Sequence, residues 1–314
     1  PEHSSLYSDA HAAENDLKAC LIDSVRARLI ADVPVGAYLS GGLDSSLISA
    51  IAAQESSKQI RAFVAGFGDD RYDEVPFAKE VAAHCGLNLE VVPLRPDDFS
   101  DSFEKLTWHR DAPISEPGDV AIYSIASSAS QHVKVLLSGE GADELFAGYP
   151  KHRYDERFEN VSQLPASLRW RLFRILERNC GTRTWRARVA LRALTSRSRE
   201  ERWQSWFAPF TWYERARLHG GYGKPLAEEH LNGEDYLNAM LRRDCGQWLS
   251  DNLLERGDRM SMAASVENRP PFLDHRLVEI AFRIPGSMKL HNGSGKHIVK
   301  QIAKAYVPES ITAR

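Results

Sequence analysis

Ser40-Gly41-Gly42-Leu43-Asp44-Ser45-Ser46 lies between the apolar run 35–39 and a second apolar run, 47–51. An apolar run on each side of a glycine-rich turn predicts a buried strand, a tight loop and a helix. Such a loop directs several backbone N–H groups and the positive end of a helix dipole at one point. Residues 40–46 therefore have the character of a phosphate-binding loop.

Strand and helix patterns alternate outward from this loop. Short apolar runs bounded by turn residues predict strands, whereas Leu17, Leu21 and Val25, which recur once per helical turn, predict a one-faced helix. The alternation predicts an α/β fold with a doubly wound parallel sheet of about five strands and flanking helices. Strands are predicted at 35–39, 61–67, 87–92 and 133–137, and helices at 16–30, 47–54, 73–85, 97–108 and 119–131.

The second half of the chain has a different pattern. Beyond Tyr149 the strand patterns fade, and Trp, Leu and Arg at helical spacing predict helices over about 151–257. We therefore expect an α/β core at 1–150 and a mainly helical part at 151–314 that completes the same functional unit. An arginine-rich run, 169–202, favours solvated helix faces over an RNA-binding surface, because few aromatic residues are interleaved with the arginines.

Composition narrows the class of protein. The 314 residues are 43% hydrophobic and 26% charged with a net charge of -3, which is typical of a soluble globular protein and argues against nucleic-acid binding. No apolar run approaches the roughly 18 residues of a membrane span, so we expect a cytoplasmic protein with no membrane partner. The cysteines form no CxxC pair, which argues against a zinc site and a disulfide framework.

A second conspicuous loop follows the last predicted strand. Residues 138–144 read Ser-Gly-Glu-Gly-Ala-Asp-Glu. In doubly wound sheets, ligands bind outside the carboxyl ends of the strands, at the point where strand order reverses. Read alone, this loop is as typical of a strand-to-helix turn with an acidic first turn. Together with 40–46 in the same sheet, it predicts a shared ligand site.

The first loop matches neither of two common nucleotide-binding patterns. A Walker A loop is GxxxxGK followed by Ser or Thr, but Gly295-Lys296 and Gly223-Lys224 both have leucine at the first glycine position and are followed by His297 and Pro225. The dinucleotide pattern GxGxxG is absent at Gly41. The pattern present is SGGxDS, whose hydroxyls and N–H groups suit phosphate oxygens.

The carboxylate of Asp44 is out of place beside phosphate unless a hard cation lies between them. Asp44 therefore implies Mg²⁺. Glu140 and Asp143 supply further carboxylates at the same sheet edge, and a paired arrangement could hold the ion on a pyrophosphate from two sides.

These motifs, in this order, resemble the synthetase domain of the glutamine-hydrolysing asparagine synthetases, which belongs to the PP-loop ATP pyrophosphatase superfamily. The similarity runs from about Leu17 to the end of the chain. It is carried by 40–46 (SGGLDSS), 137–144 (LSGEGADE) and 267–274 (ENRPPFLD), with support from 111–123, 258–263 and 295–300. The resemblance implies that 1–150 is a PP-loop core.

What the resemblance implies is a ligase reaction in two steps. ATP adenylates the side-chain carboxylate of aspartate and releases pyrophosphate, and ammonia then attacks the acyl-adenylate to give asparagine and AMP. Carried over by position, Ser40, Gly41, Gly42, Ser45 and Ser46 would hold the pyrophosphate of ATP, Asp44 and Asp143 would hold Mg²⁺, and Leu39, Ala65, Ser138 and Gly139 would contact the nucleoside.

Further roles follow from the same resemblance. Lys296 matches a catalytic lysine that stabilises negative charge on the transferred phosphoryl group. Asp143 is likewise expected to be a catalytic residue. Glu140 matches a carboxylate near the acyl-adenylate, a candidate base for the incoming ammonium. Arg256 aligns with a cationic residue that binds the substrate's carboxylates in the family. The alternative is that Arg256 is an ordinary surface arginine. Glu267 and Arg269 are expected to brace a loop as an ion pair.

The resemblance also bears on partners. Family members usually begin with a glutaminase domain whose catalytic cysteine is the first residue, whereas Pro1 stands first here. We therefore expect the chain to use free ammonia, or ammonia from a glutaminase domain or partner outside it. Its other partners are expected to be small molecules, with a homodimer kept open.

Three alternatives remain. Related PP-loop amidotransferases and β-lactam synthetases adenylate other carboxylates, and pocket residues decide between these acceptors. A tRNA-modifying PP-loop enzyme would use the run 169–202 as its RNA face and bind RNA with a steep salt dependence. A non-catalytic domain that has kept the nucleotide fold is disfavoured, because Asp44, Asp143 and Lys296 are all present.

Overall fold

The computed structural model describes residues 6–69, 73–114, 116–162, 164–177, 185–196, 198–208, 210, 212–221, 231 and 234–314. The strands are β1 (Val35–Tyr38), β2 (Arg61–Gly66), β3 (Asn88–Pro93), β4 (Val135–Leu137) and β5 (Glu267–Arg269). The helices up to β4 are α1 (Ala10–Leu29), α2 (Leu43–Glu55), α3 (Val75–Cys85), α4 (Asp97–Arg110) and α5 (Pro117–Ala129).

Helices dominate the chain after β4, as the sequence predicts. The segment Cys245–Leu254 is π-helical, and Pro271–Leu273 forms a short 3-10 turn. The α-helices are α6 (Ala142–Phe146), α7 (Pro150–Ser162), α8 (Ala166–Glu177), α9 (Trp185–Ala193), α10 (Arg199–Ser205), α11 (Trp212–His219), α12 (Tyr236–Asp244), α13 (Glu255–Met262), α14 (His275–Arg283), α15 (Gly286–Lys289), α16 (His297–Ala303) and α17 (Glu309–Thr312).

The strands form one parallel sheet in the order β3-β2-β1-β4-β5. The central strands are apolar on both faces, as parallel strands covered by helices on both sides must be. In β4 every residue is buried, and Ala37 in β1 is fully buried. The predicted doubly wound α/β fold is therefore confirmed.

One strand was not predicted from the sequence, and the first helix begins earlier than predicted. β5 lies where no strand was predicted, because a run of three polar residues carries no apolar alternation. The first helix begins at Ala10 instead of residue 16, since the Asp9 side chain accepts a hydrogen bond from the His11 N–H and caps the helix earlier.

One apolar core joins the two halves of the chain. It includes Leu21 of α1, Leu47 of α2, Phe146 of α6, Leu277 of α14 and Ile298 of α16, all nearly inaccessible to solvent. Fully burying a side chain of this size stabilises a fold by roughly 1.5–3 kcal/mol. Helices from beyond residue 150 therefore help to fix α2, the helix that follows the glycine-rich loop.

Two further findings concern the helices and cysteines of the described residues. None of the helices in these ranges is both long enough and apolar enough to cross a membrane. Cys20, Cys85 and Cys245 are free thiols, whereas Cys180 lies outside the described residues.

Candidate active site

The strand order brings the two glycine-rich loops together. From β1 the chain moves outward to β2 and β3, then returns to place β4 on the other side of β1. Ala37 of β1 pairs with Leu137 of β4, so the loops that leave these strands start side by side. This is the point of reversal at which doubly wound sheets bind ligands.

The first loop is held by its own hydroxyl groups. Gly41 has φ of 72°, a left-handed conformation that glycine adopts without strain. The Ser40 and Ser45 hydroxyl oxygens lie 2.9 Å apart, and Ser40 Oγ accepts from the Gly42 N–H at 3.2 Å. The loop is thus ordered by internal hydrogen bonds, with α2 starting immediately behind it at Leu43.

Ser46 differs from the other serines of the loop. It is fully buried, and its Oγ has no hydrogen-bond partner among the described residues. The structure therefore does not bring Ser46 to the loop surface with Ser40, although the sequence grouped them.

The second loop packs directly against the first. A Cβ added at Gly139 would lie 2.8 Å from the Ser45 nitrogen and 2.9 Å from Asp44 Cβ. These atoms belong to backbone or lie next to it, so they cannot move aside. Only glycine fits where the loops touch.

Lys296 reaches the junction from a third segment. Its Nζ lies 2.5 Å from Asp44 Oδ2 and 2.6 Å from Asp143 Oδ1. The backbone of Lys296 is left-handed, with φ of 56°, and its N–H donates to the Phe146 carbonyl at 2.8 Å. A left-handed non-glycine residue costs on the order of 1–3 kcal/mol, and such residues cluster at functional sites.

The charges of Lys296, Asp44 and Asp143 interact. Burial opposes the charge on Lys296, yet the carboxylates of Asp44 and Asp143 raise the pKa of its ammonium above the usual range. Burial raises the pKa of Asp44, Lys296 opposes that rise, and Asp143 adds to it. Lys296 therefore stays cationic at neutral pH between two carboxylates.

The carboxylate pair also fits a Mg²⁺ ion. Asp44 Oδ1 is buried and has no hydrogen-bond partner among the described residues, so one oxygen of this carboxylate remains to ligate a cation. Mg²⁺ in nucleotide sites is commonly held by one or two carboxylates together with substrate phosphates. Asp44 and Asp143 supply such a pair.

Glu140 lies on the other side of the second loop, next to β5 and α13. Asn268 Nδ2 donates to Glu140 Oε2 at 2.9 Å, and a Cβ added at Gly257 would lie 2.7 Å from Glu140 Oε1. Burial raises the pKa of Glu140, while Asn268, Arg256 and Ser138 oppose that rise. A partly buried carboxyl with a raised pKa is suited to proton transfer.

Arg256 is not a free surface arginine. Its guanidinium is ion-paired with Glu116, and its Nε lies 3.5 Å from Asp119 Oδ1. Arg110 also contacts Asp119, at 2.9 Å. Arg256 thus ties α13 to the start of α5 and places a cation near Glu140.

The remaining predicted residues occupy the strand ends. Leu39 follows β1 and is fully buried, Ala65 lies near the end of β2, and the Ser138 N–H donates to the Arg269 carbonyl at 3.1 Å. The predicted pair of Glu267 and Arg269 is present at 2.8 Å.

Sequence reasoning gave no role to Asn268 or Gly148. A Cβ at Gly148 would overlap the carboxylate of Asp143 and the stem of Lys296. Asn268 lies inside the motif 267–274, between the charged residues Glu267 and Arg269. An amide in that position was the sequence feature that could have indicated a role for it.

The arginine-rich run is only partly solvated, which corrects the sequence prediction for two of its members. Arg202 is 1% exposed and its Nε donates to the Asp155 carboxylate at 3.2 Å. Arg169 is buried and donates to the Leu194 carbonyl at 3.0 Å. These arginines hold helices together. Arg171 and Arg174 are exposed, as predicted, and Arg178 and Arg183 lie outside the described residues.

Comparison with known proteins gives a family and several relatives. Residues 16–314 match the family described as asparagine synthase. The glutamine-hydrolyzing asparagine synthetase 1 of Bacillus subtilis (strain 168) is 31% identical over 312 residues, covering 95% of this chain and 48% of the relative. A putative glutamine-hydrolyzing asparagine synthetase of Mycobacterium tuberculosis (strain ATCC 25618 / H37Rv) is 29% identical over 311 residues, covering 96% and 47%.

A relative with another name matches to a similar extent. The amidase chyE of Penicillium rubens is 28% identical over 354 residues, covering 98% of this chain and 52% of the relative. The chain thus spans about half the length of the curated relatives it matches.

Proposed function

Because this chain belongs to the asparagine synthase family, we propose that it is an ATP-dependent ligase that converts the side-chain carboxylate of aspartate into an amide. In the first step a carboxylate oxygen attacks the α-phosphorus of ATP, and pyrophosphate leaves. In the second step ammonia attacks the acyl carbon, and AMP leaves. The products are asparagine, AMP and pyrophosphate.

The observation that carries this proposal is the meeting of Asp44, Asp143 and Lys296 where the two loops touch. Ser40 and Ser45 provide hydroxyls beside the N-terminus of α2, which suits the pyrophosphate portion of ATP. Leu39, Ala65, Ser138 and Gly139 line the strand ends that would receive the nucleoside.

Lys296 would act in the adenylation step. Its ammonium stays charged, and negative charge grows on the phosphoryl oxygens as pyrophosphate departs. A Mg²⁺ ion held by Asp44 and Asp143 would neutralise phosphate charge when bound. Binding of ATP would draw Lys296 from the carboxylates toward the phosphates.

Glu140 would act in the amide-forming step. Ammonia is mostly protonated at neutral pH, so a base must remove a proton before or during its attack. Glu140 is partly buried, its pKa is raised by desolvation, and it lies in the second loop. Arg256, on the same side, would orient the carboxylates of the acceptor.

The nitrogen source and assembly are part of the proposal. Relatives of about twice this length are named glutamine-hydrolyzing enzymes. We therefore propose that ammonia reaches this site from a glutaminase domain or a partner, or from solution. Assembly of the chain as a homodimer is compatible with this proposal.

A second candidate is the same adenylation of another carboxylate. It is favoured by the amidase name of the Penicillium relative, which matches the chain as fully as the synthetases do. An RNA-modifying role is disfavoured, because Arg169 and Arg202 are buried in contacts within the chain.

ATP–pyrophosphate exchange tests the proposal. We expect exchange that depends on aspartate, and a fall of about 100-fold or more in Lys296→Ala, the loss typical when a charge-stabilising group is removed. Lys304→Ala is the matched control, because Lys304 is an exposed lysine just beyond α16. Urea unfolding of both variants checks that each is folded under the conditions of the assay.

Other outcomes separate the candidates. If exchange requires a different carboxylic acid, that acid and not aspartate is the acceptor. Full exchange in Lys296→Ala would remove Lys296 from the mechanism.

A further inference from the structure

The Asn268 amide is the closest hydrogen-bond donor to Glu140 among the described residues, with Nδ2 at 2.9 Å from Oε2. We propose that Asn268 is a positioning residue that keeps Glu140 ionised and oriented to take a proton in the amide-forming step. The inference rests on the function proposed above and adds a residue to which that function gave no role.

The position of Asn268 is fixed by the sheet. Asn268 pairs with Leu136 across the ladder between β4 and β5. Arg269, the next residue, donates to the Arg28 carbonyl and to the Ile30 carbonyl, each at 3.0 Å. A slip of one residue in β5 would turn Asn268 to the opposite face, and these contacts oppose such a slip. Asn268 is therefore held in register against Glu140.

The other groups around Glu140 come from three elements. Ser138 Oγ, after β4, is 3.5 Å away, at the limit of a hydrogen bond. Arg256 of α13 faces Glu140, but its guanidinium is engaged by Glu116 and Asp119. The hydroxyl of Tyr38 in β1 is buried, and its pKa is raised chiefly by that burial and further by the charge of Glu140. Asn268 thus provides the best hydrogen bond to this carboxylate.

A hydrogen bond to a carboxylate favours its charged form. Burial raises the pKa of Glu140, and the bond from Asn268 is the largest effect that opposes the rise. Without Asn268, Glu140 would be protonated over a wider pH range and could not act as a base there.

The second polar atom of the amide also matches the chemistry. Asn268 Oδ1 is buried and has no hydrogen-bond partner among the described residues. Buried polar atoms are rarely left unpaired, so this one needs a partner. Ammonia, with three N–H groups, is a donor of the right kind beside the base.

The test compares two reactions of the same variant. In Asn268→Ala, aspartate-dependent ATP–pyrophosphate exchange should stay within about twofold of the unmodified chain, because the phosphate loops are untouched. The acidic limb of the pH profile for ammonia-dependent amide formation should move up by about one pH unit, so the rate falls about tenfold on that limb and recovers at higher pH.

Two further variants sharpen the result. Asn268→Asp places a second carboxylate beside Glu140 and should move the acidic limb further than Asn268→Ala. Glu279→Gln changes an exposed carboxylate on α14, away from β5, and should leave both reactions unchanged. A purely structural role would lower both reactions equally at every pH, and that result, or an unshifted profile, would overturn the inference.

A titration of the free protein keeps the inference separate from the proposed function. The ¹³C-carboxyl signal of Glu140, assigned with Glu140→Gln, should titrate at higher pH in Asn268→Ala. This readout needs no acceptor, so it decides the question even if the chain shows no exchange with any acid. An unchanged titration midpoint would overturn the inference.

Discussion

Gly139 is the residue at which the two loops of the site touch, and it gives the sharpest prediction at residue scale. In Gly139→Ala the new Cβ would lie 2.8 Å from the Ser45 nitrogen. The loops must therefore separate, and a displacement of about 1 Å at a catalytic site costs on the order of 100-fold in rate. We expect ATP–pyrophosphate exchange to fall by about that factor.

Gly246→Ala is the matched control for this substitution. A Cβ at Gly246 meets no atom within 4 Å, and the residue lies in the π-helical segment. It should retain exchange. Equal exchange in both variants would show that the contact at Gly139 does not set the loop geometry.

Single residues of the site were predictable to different extents. The pattern SGGxDS and the acidic second loop predicted that Asp44 and Asp143 share a sheet edge, because parallel strands end together. Lys296 came only from its motif, since its side chain reaches Asp44 across a separation in sequence that no periodicity spans. The contact between Asn268 and Glu140 depends on the packing of β5, which the sequence did not reveal.

At the scale of elements, β5 shows where pattern reading stops. The edge strand has a neighbour on one side only and consists of Glu267, Asn268 and Arg269. Polar residues are common on edge strands because one edge faces solvent. The central strands are covered by helices on both faces, so their residues are apolar. They could therefore be recognised in the sequence as apolar runs.

Asp274, at the start of α14, joins this helix to α1. Its carboxylate caps the helix through the Arg276 N–H at 3.0 Å and accepts from Arg28 of α1 at 3.1 Å. Hydrogen bonds from Arg276 chiefly, and from Arg28, hold the pKa of Asp274 well below its usual range against the effect of burial. The ionised carboxylate therefore stabilises the folded chain.

Asp274→Asn should lower the free energy of unfolding by about 1–2 kcal/mol at pH 7, because the amide keeps the cap but loses the charge. A depressed folded pKa contributes stability that is present above the unfolded pKa, about 4, and is lost as pH falls through the folded pKa. The difference between the two proteins should therefore shrink below about pH 4.

Urea unfolding at several pH values measures this difference. Asp97→Asn, an exposed aspartate at the start of α4, is the control and should change stability little at any pH. A difference for Asp274→Asn that is independent of pH would show that its charge is not the cause.

At the scale of the whole molecule, the two halves of the chain share one core. Phe272, Leu277 and Ile298 pack in the same apolar cluster as Leu47, which lies just after the phosphate loop. The division at residue 150 stays a prediction, but this shared core supports the expectation that the helical part completes the site. The composition and the alternation of strand and helix patterns could predict the sheet from the sequence. The pairing of β5 with β4 could not be predicted, because it depends on packing between residues far apart in the chain.

The central claim is that ATP transfers AMP, and not its terminal phosphate, to a carboxylate. The most direct measurement uses aspartate labelled with ¹⁸O in its side-chain carboxylate, with ATP and ammonia, and mass spectrometry of the products. One labelled oxygen should leave with AMP when ammonia attacks the acyl-adenylate, and the other should remain in asparagine. Label in orthophosphate, with ADP as the nucleotide product, would contradict the account.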